Sequence, residues 1–353
     1  MAMDLKRCLI LGCLLAAAAF GALQVAGRAA ALLTNAKAVA ANSFQLDTLS
    51  APADLAATGA CSVSLSWTAT VDTYASGHRI FRGSASGGPY SQIVQVTPRT
   101  TTAYTDQPAA GTYYYVTRSF YQNWESVNSN EASDTVSAAS APVSFRAAAS
   151  AGAPSDTLTL TISKPAGAVL CDVMIASIAV RPDTATITPP AGWTLVRRVD
   201  NASATANSLA VYYKVAGASE PASYSWSFST STGSAGGILA FSGVDTTNPI
   251  NVENGQTTDN GLSHATPSVT TTAANAMLVS SHTFASAATW TPPAGMSEAV
   301  DQASIAVPNA AGISLEMNYV LQAAAAATGA KTATASNDAN VGNAHILALN
   351  PKP

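Results

Sequence analysis

The chain is 353 residues long and 48% of its positions are apolar, enough to build more than one packed core, which excludes a disordered chain. Charged residues make up only 10%, against about 25% in an average soluble protein, and small and hydroxyl-bearing residues stand in their place. The formal net charge of −4 leaves no basic footprint for nucleic acid and no polybasic patch for anionic lipid, so nucleic acid is excluded as a partner.

Residues 1–31 read as a signal peptide or an uncleaved membrane anchor. Lys6 and Arg7 precede an apolar run from Leu9 to Val25, broken by Gly12 and Gly21, whose length is close to the lower limit for a membrane-spanning helix. Ala29-Ala30-Ala31 and Ala38-Val39-Ala40 both suit a signal peptidase. The lipoprotein alternative at Cys13 leaves too short an apolar run after Arg7. Export to the exterior or the cell surface is therefore expected, with membrane contact only through this N-terminal helix.

Residues 32–50 read as an extended linker. Ala31-Leu32-Leu33-Thr34, followed by Asn42-Ser43-Phe44-Gln45-Leu46-Asp47-Thr48-Leu49, resembles the leader junction of camelysin-like fibre proteins. That resemblance implies a free N-terminal segment, which could donate a strand to a second copy through Phe44, Leu46 and Leu49.

Residues 51–137 carry short alternating segments bounded by turns: Val63-Ser64-Leu65-Ser66-Trp67, His78-Arg79-Ile80-Phe81-Arg82, Ile93-Val94-Gln95-Val96, and Tyr113 to Phe120. Such spacing predicts an all-β sandwich. The order of landmarks resembles the fibronectin type III family: Ala51-Pro52, Trp67, Gly77 to Arg82, Tyr104-Thr105-Asp106, Gly111 to Val116, and Ser129-Asn130-Glu131. The resemblance implies that Trp67 is the core tryptophan and Tyr113 the corner tyrosine whose hydroxyl bonds back to a loop. Trp124 falls in a loop, Tyr121 to Ser126, where either packing or ligand contact is open to it.

Residues 138–142 form a small, uncharged, proline-closed linker, and residues 143–353 contain a repeat with halves at 143–249 and 250–353. Thr188-Pro189-Pro190-Ala191-Gly192-Trp193 recurs as Thr291-Pro292-Pro293-Ala294-Gly295-Met296, 103 residues on from Pro189 to Pro292. Val173 to Ser177 pairs with Ala276 to Ser280 at the same offset, Ser208 to Tyr213 with Ser314 to Tyr319, and Ile238 to Phe241 with Ile346 to Leu349. Leu209, Val211 and Tyr213 alternate with Ala210, Tyr212 and Lys214, which predicts antiparallel strands with one buried face. The region resembles a jelly-roll-like domain of secreted bacterial and phage-associated proteins. Two halves allow one sandwich or two in tandem, and one integrated unit is the preferred reading.

Chemistry-bearing residues are sparse. The mature chain keeps only Cys61 and Cys171, in different expected domains, and two separate buried thiols are expected. His78, His264, His282 and His345 show no metal-ligand spacing, His78 being expected as a half-buried structural residue. Gly233-Ser234-Ala235-Gly236-Gly237 lacks the nucleophile spacing and reads as a turn into Ile238. Asp245, Asp259 and Asp338 sit in turn-like sequence where Asx turns explain them without calcium. No catalytic residue, metal ligand or cofactor is therefore assigned. The expected function is non-catalytic binding or adhesion at the cell surface, directed to an extracellular polysaccharide or surface component. Trp124 and Trp290 are the aromatic candidates for that contact. A fibre subunit assembled by strand donation is the alternative, and an unrecognised glycoside hydrolase or accessory module of polysaccharide degradation the third reading.

Overall fold

The computed structural model describes residues 48–136, 142–203 and 205–352. The expected leader helix, its cleavage sites, Phe44, Leu46 and most of the expected linker at 138–142 lie outside those residues. Leu49 is described, and it is buried, while Ser50 is hydrogen-bonded to Asp72 and Ser119. This end of the segment expected to leave the molecule is thus docked on its own chain.

The first sandwich is built from β1 (Ala53–Thr58), β2 (Val63–Thr68), β3 (Gly77–Gly83), β4 (Ser91–Val96), β5 (Ala103–Asp106), β6 (Gly111–Tyr121), β7 (Trp124–Glu125) and β8 (Ala132–Val136). One sheet runs β1-β2-β5; the other runs β4-β3-β6, with both β7 and β8 on the far edge of β6. Period-two alternation sends Val63, Leu65 and Trp67 inward from β2 to meet Ile80 and Tyr115, and the intervening serines face solvent.

The rest of the chain is duplicated in three dimensions. Its first half comprises β9 (Ser144–Ala153), β10 (Thr159–Ser163), β11 (Val173–Arg181), β12 (Ile187–Thr188), β13 (Thr194–Asn201), β14 (Asn207–Val215), β15 (Ser223–Phe228) and β16 (Gly233–Ser242). The second half comprises β17 (Ile250–Gly261), β18 (Ser263–Ala265), β19 (Ala276–Phe284), β20 (Trp290–Thr291), β21 (Ser297–Ala303), β22 (Ser314–Gln322), β23 (Thr332–Ala335) and β24 (Asn340–Leu349). The five-stranded sheets follow one order, β13-β14-β11-β16-β9 and β21-β22-β19-β24-β17, as do the three-stranded sheets β10-β15-β12 and β18-β23-β20. Each half closes as its own sandwich of a large and a small sheet.

The two large sheets share a core. Val173, Ile175, Leu209, Val211, Leu239 and Phe241 meet Met277, Val279, Leu315, Met317, Leu347 and Leu349. Phe145 stacks on Tyr319 with ring centroids 4.3 Å apart, and Ser177 Oγ lies 2.7 Å from Ser281 Oγ. This stacking corrects the expectation that β14 has one buried face. Ala210 and Tyr212, expected on the outer face, pack in the interior of the first sandwich while Leu209 and Val211 face the other half. Gly237 permits the approach: a Cβ there would come within 2.8 Å of Met317 Sδ. The run from Gly233 to Gly237, expected as a turn, is the start of β16.

The repeat register also shifts by one residue. Val173 pairs with Phe241 and Val215, and the position with matching neighbours in the second half is Met277, paired with Leu349 and Leu321. Aligning Val173 with Ala276 puts every matched side chain of these strands on opposite faces, because a one-residue slip reverses facing.

Cys61, in the turn between β1 and β2, is bonded to Cys171 just before β11. Two separate thiols were the expectation, on the ground that 110 residues and a domain boundary intervene. The first sandwich in fact rests against the repeat region, where the Lys352 ammonium also donates to the Cys61 carbonyl at 3.3 Å.

Candidate functional site

One end of the first sandwich carries its exposed aromatics. Tyr121 pairs with Trp124 across a hairpin whose turn contains Gln122 at φ 53°. Trp124 is 52% exposed, and Tyr121 and Tyr74 are exposed beside it in an edge-on pair with centroids 5.8 Å apart. Val71, on the β2–β3 loop with Tyr74, and Val127, just after β7, are exposed as well. The backbone N–H of Ser76 donates to the Phe120 carbonyl at 2.8 Å, tying the β2–β3 loop to the base of the hairpin.

Beneath Trp124 the hairpin is braced by charge. Glu125 accepts from Arg79 and from Arg118, whose guanidiniums lie over the rings of Phe120 and Phe81 at 4.6 and 4.4 Å. Burial pushes the Glu125 carboxyl up, but the hydrogen bonds from Arg79 and Arg118 hold it below the usual carboxylate range. The backbone that carries Trp124 is therefore anchored through Glu125, while the Trp124 side chain itself stays about half exposed.

Trp290, the second aromatic candidate, is not on the surface. It is buried between β19 and the small sheet of the second half, against Phe284 and His264, and its Nε1–H donates to Ser314 Oγ at 3.1 Å. Proximity to the Pro292-Pro293 turn suggested a loop position; pairing of β20 with β23 directs the side chain inward instead. All four histidines are buried too. His78, expected half-buried, is fully enclosed, with Nδ1 3.1 Å from the Thr101 carbonyl. Burial holds His264 and His282 at about 4, so both are neutral at pH 7. Asp245 closes an Asx turn by accepting from the backbone N–H groups of Thr247 and Asn248.

A carboxylate group that sequence spacing did not single out lies in the second half. Oxygens of Glu298, Asp301 and Glu316 come within 4.8 Å of one another. Glu298 and Asp301 lie three apart on β21, yet share a face because a bulge between Glu298 and Val300 inserts a residue. Across the ladder Glu298 faces Asn318 and Asp301 faces Glu316. Glu316 and Asn318 alternate with Leu315 and Met317 of the shared core, so they point into the second sandwich, and both are fully buried. Burial raises Glu316 to about 8, with Glu298 and Asp301 adding repulsion.

No protein-family model and no curated protein matches the chain. Among solved structures, a fibronectin type III-like protein from Clostridium thermocellum is 32% identical over 25% of this chain and 92% of its own, with a TM-score of 0.22. The FN1-FN3 domains of chicken CNTN1 are 12% identical over 55% of this chain and 62% of theirs, with a TM-score of 0.31. In the first sandwich, β1-β2-β5 covers β4-β3-β6-β8 across a core centred on Trp67. This sandwich is fibronectin type III-like.

Within the type III sandwich Tyr113, expected as the corner tyrosine, is not the most deeply buried tyrosine of its strand. Tyr113 is half-buried, its ring 5.0 Å from the Arg82 guanidinium carbon. The fully buried hydroxyl belongs to Tyr115, which donates to Asp106 Oδ2 at 2.8 Å while Arg82 holds the same carboxylate at 2.9 Å. Burial and that bond push the Tyr115 hydroxyl far above its usual range. The exposed aromatic end of the type III sandwich is therefore separate from its structural aromatics.

Proposed function

We propose that this protein is a non-catalytic surface-binding module that engages an extracellular polysaccharide through the aromatic end of its type III sandwich. The observation that carries the reading is the exposed Trp124, paired across the hairpin with Tyr121, which in turn meets Tyr74. Flat indole and phenol faces match the C–H faces of sugar rings, and the Tyr74–Tyr121 pair and the anchored hairpin limit the ordering that binding must impose. A low-charge surface suits a neutral polymer.

Glycoside hydrolysis finds less support. Its two carboxylates must flank a glycosidic bond in contact with substrate. In the Glu298, Asp301 and Glu316 group, Glu316 is fully buried and a sugar ring has no access to it.

The test is retention of the purified chain on cellulose, chitin and cell-wall material. Trp124→Ala is expected to lower retention about tenfold, the cost of removing one central aromatic. Equal retention of wild type and variant would reject Trp124 as the contact.

A further inference from the structure

We propose that Glu298, Asp301, Glu316 and Asn318 form a binding site for a hard divalent cation of the calcium class, set into the edge of the second sandwich. The donors are all oxygens from two adjacent strands, with the three carboxylates within 4.8 Å of one another and Asn318 facing Glu298 across the ladder. Calcium takes six to eight oxygen ligands, and carboxylates that bind through one or both oxygens, an amide carbonyl and water meet that need. Glu298 and Asp301 are exposed, so an ion can enter from solvent with its remaining waters and settle on Glu316. Asp301 Oδ2 accepts from the Trp290 backbone N–H at 3.0 Å, which fixes that carboxylate and leaves Oδ1 for the ion.

Two buried groups point to a ligand independently of the acidic residues' proximity. Neither oxygen of Glu316 and neither the Oδ1 nor the Nδ2 of Asn318 makes a hydrogen bond of normal geometry, although both side chains are fully enclosed and the Asn318 amide lies near enough to ease the Glu316 carboxyl. Buried polar atoms in folded proteins are nearly always satisfied, so two adjacent side chains left open call for an occupant. Among the described residues, no Lys or Arg forms an ion pair with any of the three carboxylates.

The first half of the repeat is an internal control. Its β13 carries the same bulge, and Leu195 faces Tyr212 while Arg198 faces Ala210, the positions of Glu298, Asn318, Asp301 and Glu316. There the interior is apolar and closed by Tyr212 and Ala210, and the sandwich forms the same sheets. The fold therefore does not require carboxylates at these places. The second half has gathered three of them on one spot, one fully buried, where a proton or a cation must offset the charge.

Terbium luminescence on the full metal-stripped chain tests the site, since Trp290 adjoins Asp301 and can transfer excitation to a bound lanthanide. Expected are one Tb3+ per chain, displacement by Ca2+, and a rise in thermal midpoint on adding Ca2+. Glu316→Ala reproduces the residue of the first half, and should raise the metal-free midpoint and weaken Tb3+ at least tenfold. Asp301→Asn should weaken Tb3+ similarly. Absence of both Tb3+ emission and a Ca2+ shift in the wild type would overturn the proposal, as would undiminished binding in both variants.

Discussion

Cys61 and Cys171 are joined by a disulfide with Cα atoms 5.3 Å apart, although 110 residues separate them in the chain. The bond links the type III sandwich to the first repeat half at the base of β11, and a closed loop of this length restricts the unfolded chain strongly. Replacing Cys61 by Ser, or reducing the wild type, is expected to destabilise the type III sandwich and its contact with the repeat by about 3 to 5 kcal/mol. Thermal melting with and without reductant checks this, and a non-reduced peptide map should show the two cysteines in one species. Unlinked peptides from the native protein would sink the assignment.

Trp67→Ala should cost about 3 to 5 kcal/mol, because an almost enclosed indole is removed from between the sheets. Tyr115→Phe should cost about 1 to 3 kcal/mol, because Asp106 loses a donor in a buried setting. Tyr113→Phe should be close to neutral, since its ring packing is kept. Denaturant titration of the full chain ranks the three. A Tyr113→Phe loss as large as that of Tyr115→Phe would show that the Tyr113 hydroxyl carries a structural bond of its own.

Glu253 joins the two repeat halves. The Arg197 guanidinium grips it through two bonds of 2.7 and 2.9 Å, and His345 Nε2 lies 3.0 Å from its Oε2. The bond from His345 lowers its carboxyl, burial opposes this, and Arg197 lowers it further, to about 2 from an ordinary value of 4.5. A carboxylate depressed by folding contributes stability that is complete above the unfolded value and is lost as pH falls through the folded one. Glu253→Gln should therefore melt below wild type at neutral pH, and the gap should close between about pH 4.5 and 2. A gap that stays constant across that window would show that Glu253 is not held by these partners.

The division between local and tertiary information is visible residue by residue. Val63, Leu65 and Trp67 alternate with Ser64 and Ser66, so the strand, its inward face and its core tryptophan follow from period two alone. The repeated Thr-Pro-Pro-Ala-Gly at Thr188 and Thr291 exposes the duplication, because proline ends the ladder and glycine takes the turn at φ 82° and 76° in both copies. Alternation does not say what covers the other face. Ala210 and Tyr212 look outward on β14 until the small sheet closes over them, and Leu209 is enclosed only because a second large sheet stacks on it. The same gap hid Trp290, placed inside by the pairing of β20 with β23, and Cys171, brought to Cys61 by the packing of one sandwich on another. Glu298, Asp301 and Glu316 converge through a bulge and a cross-strand register, and both are set by the pairing of β21 with β22 rather than by the residues beside each carboxylate.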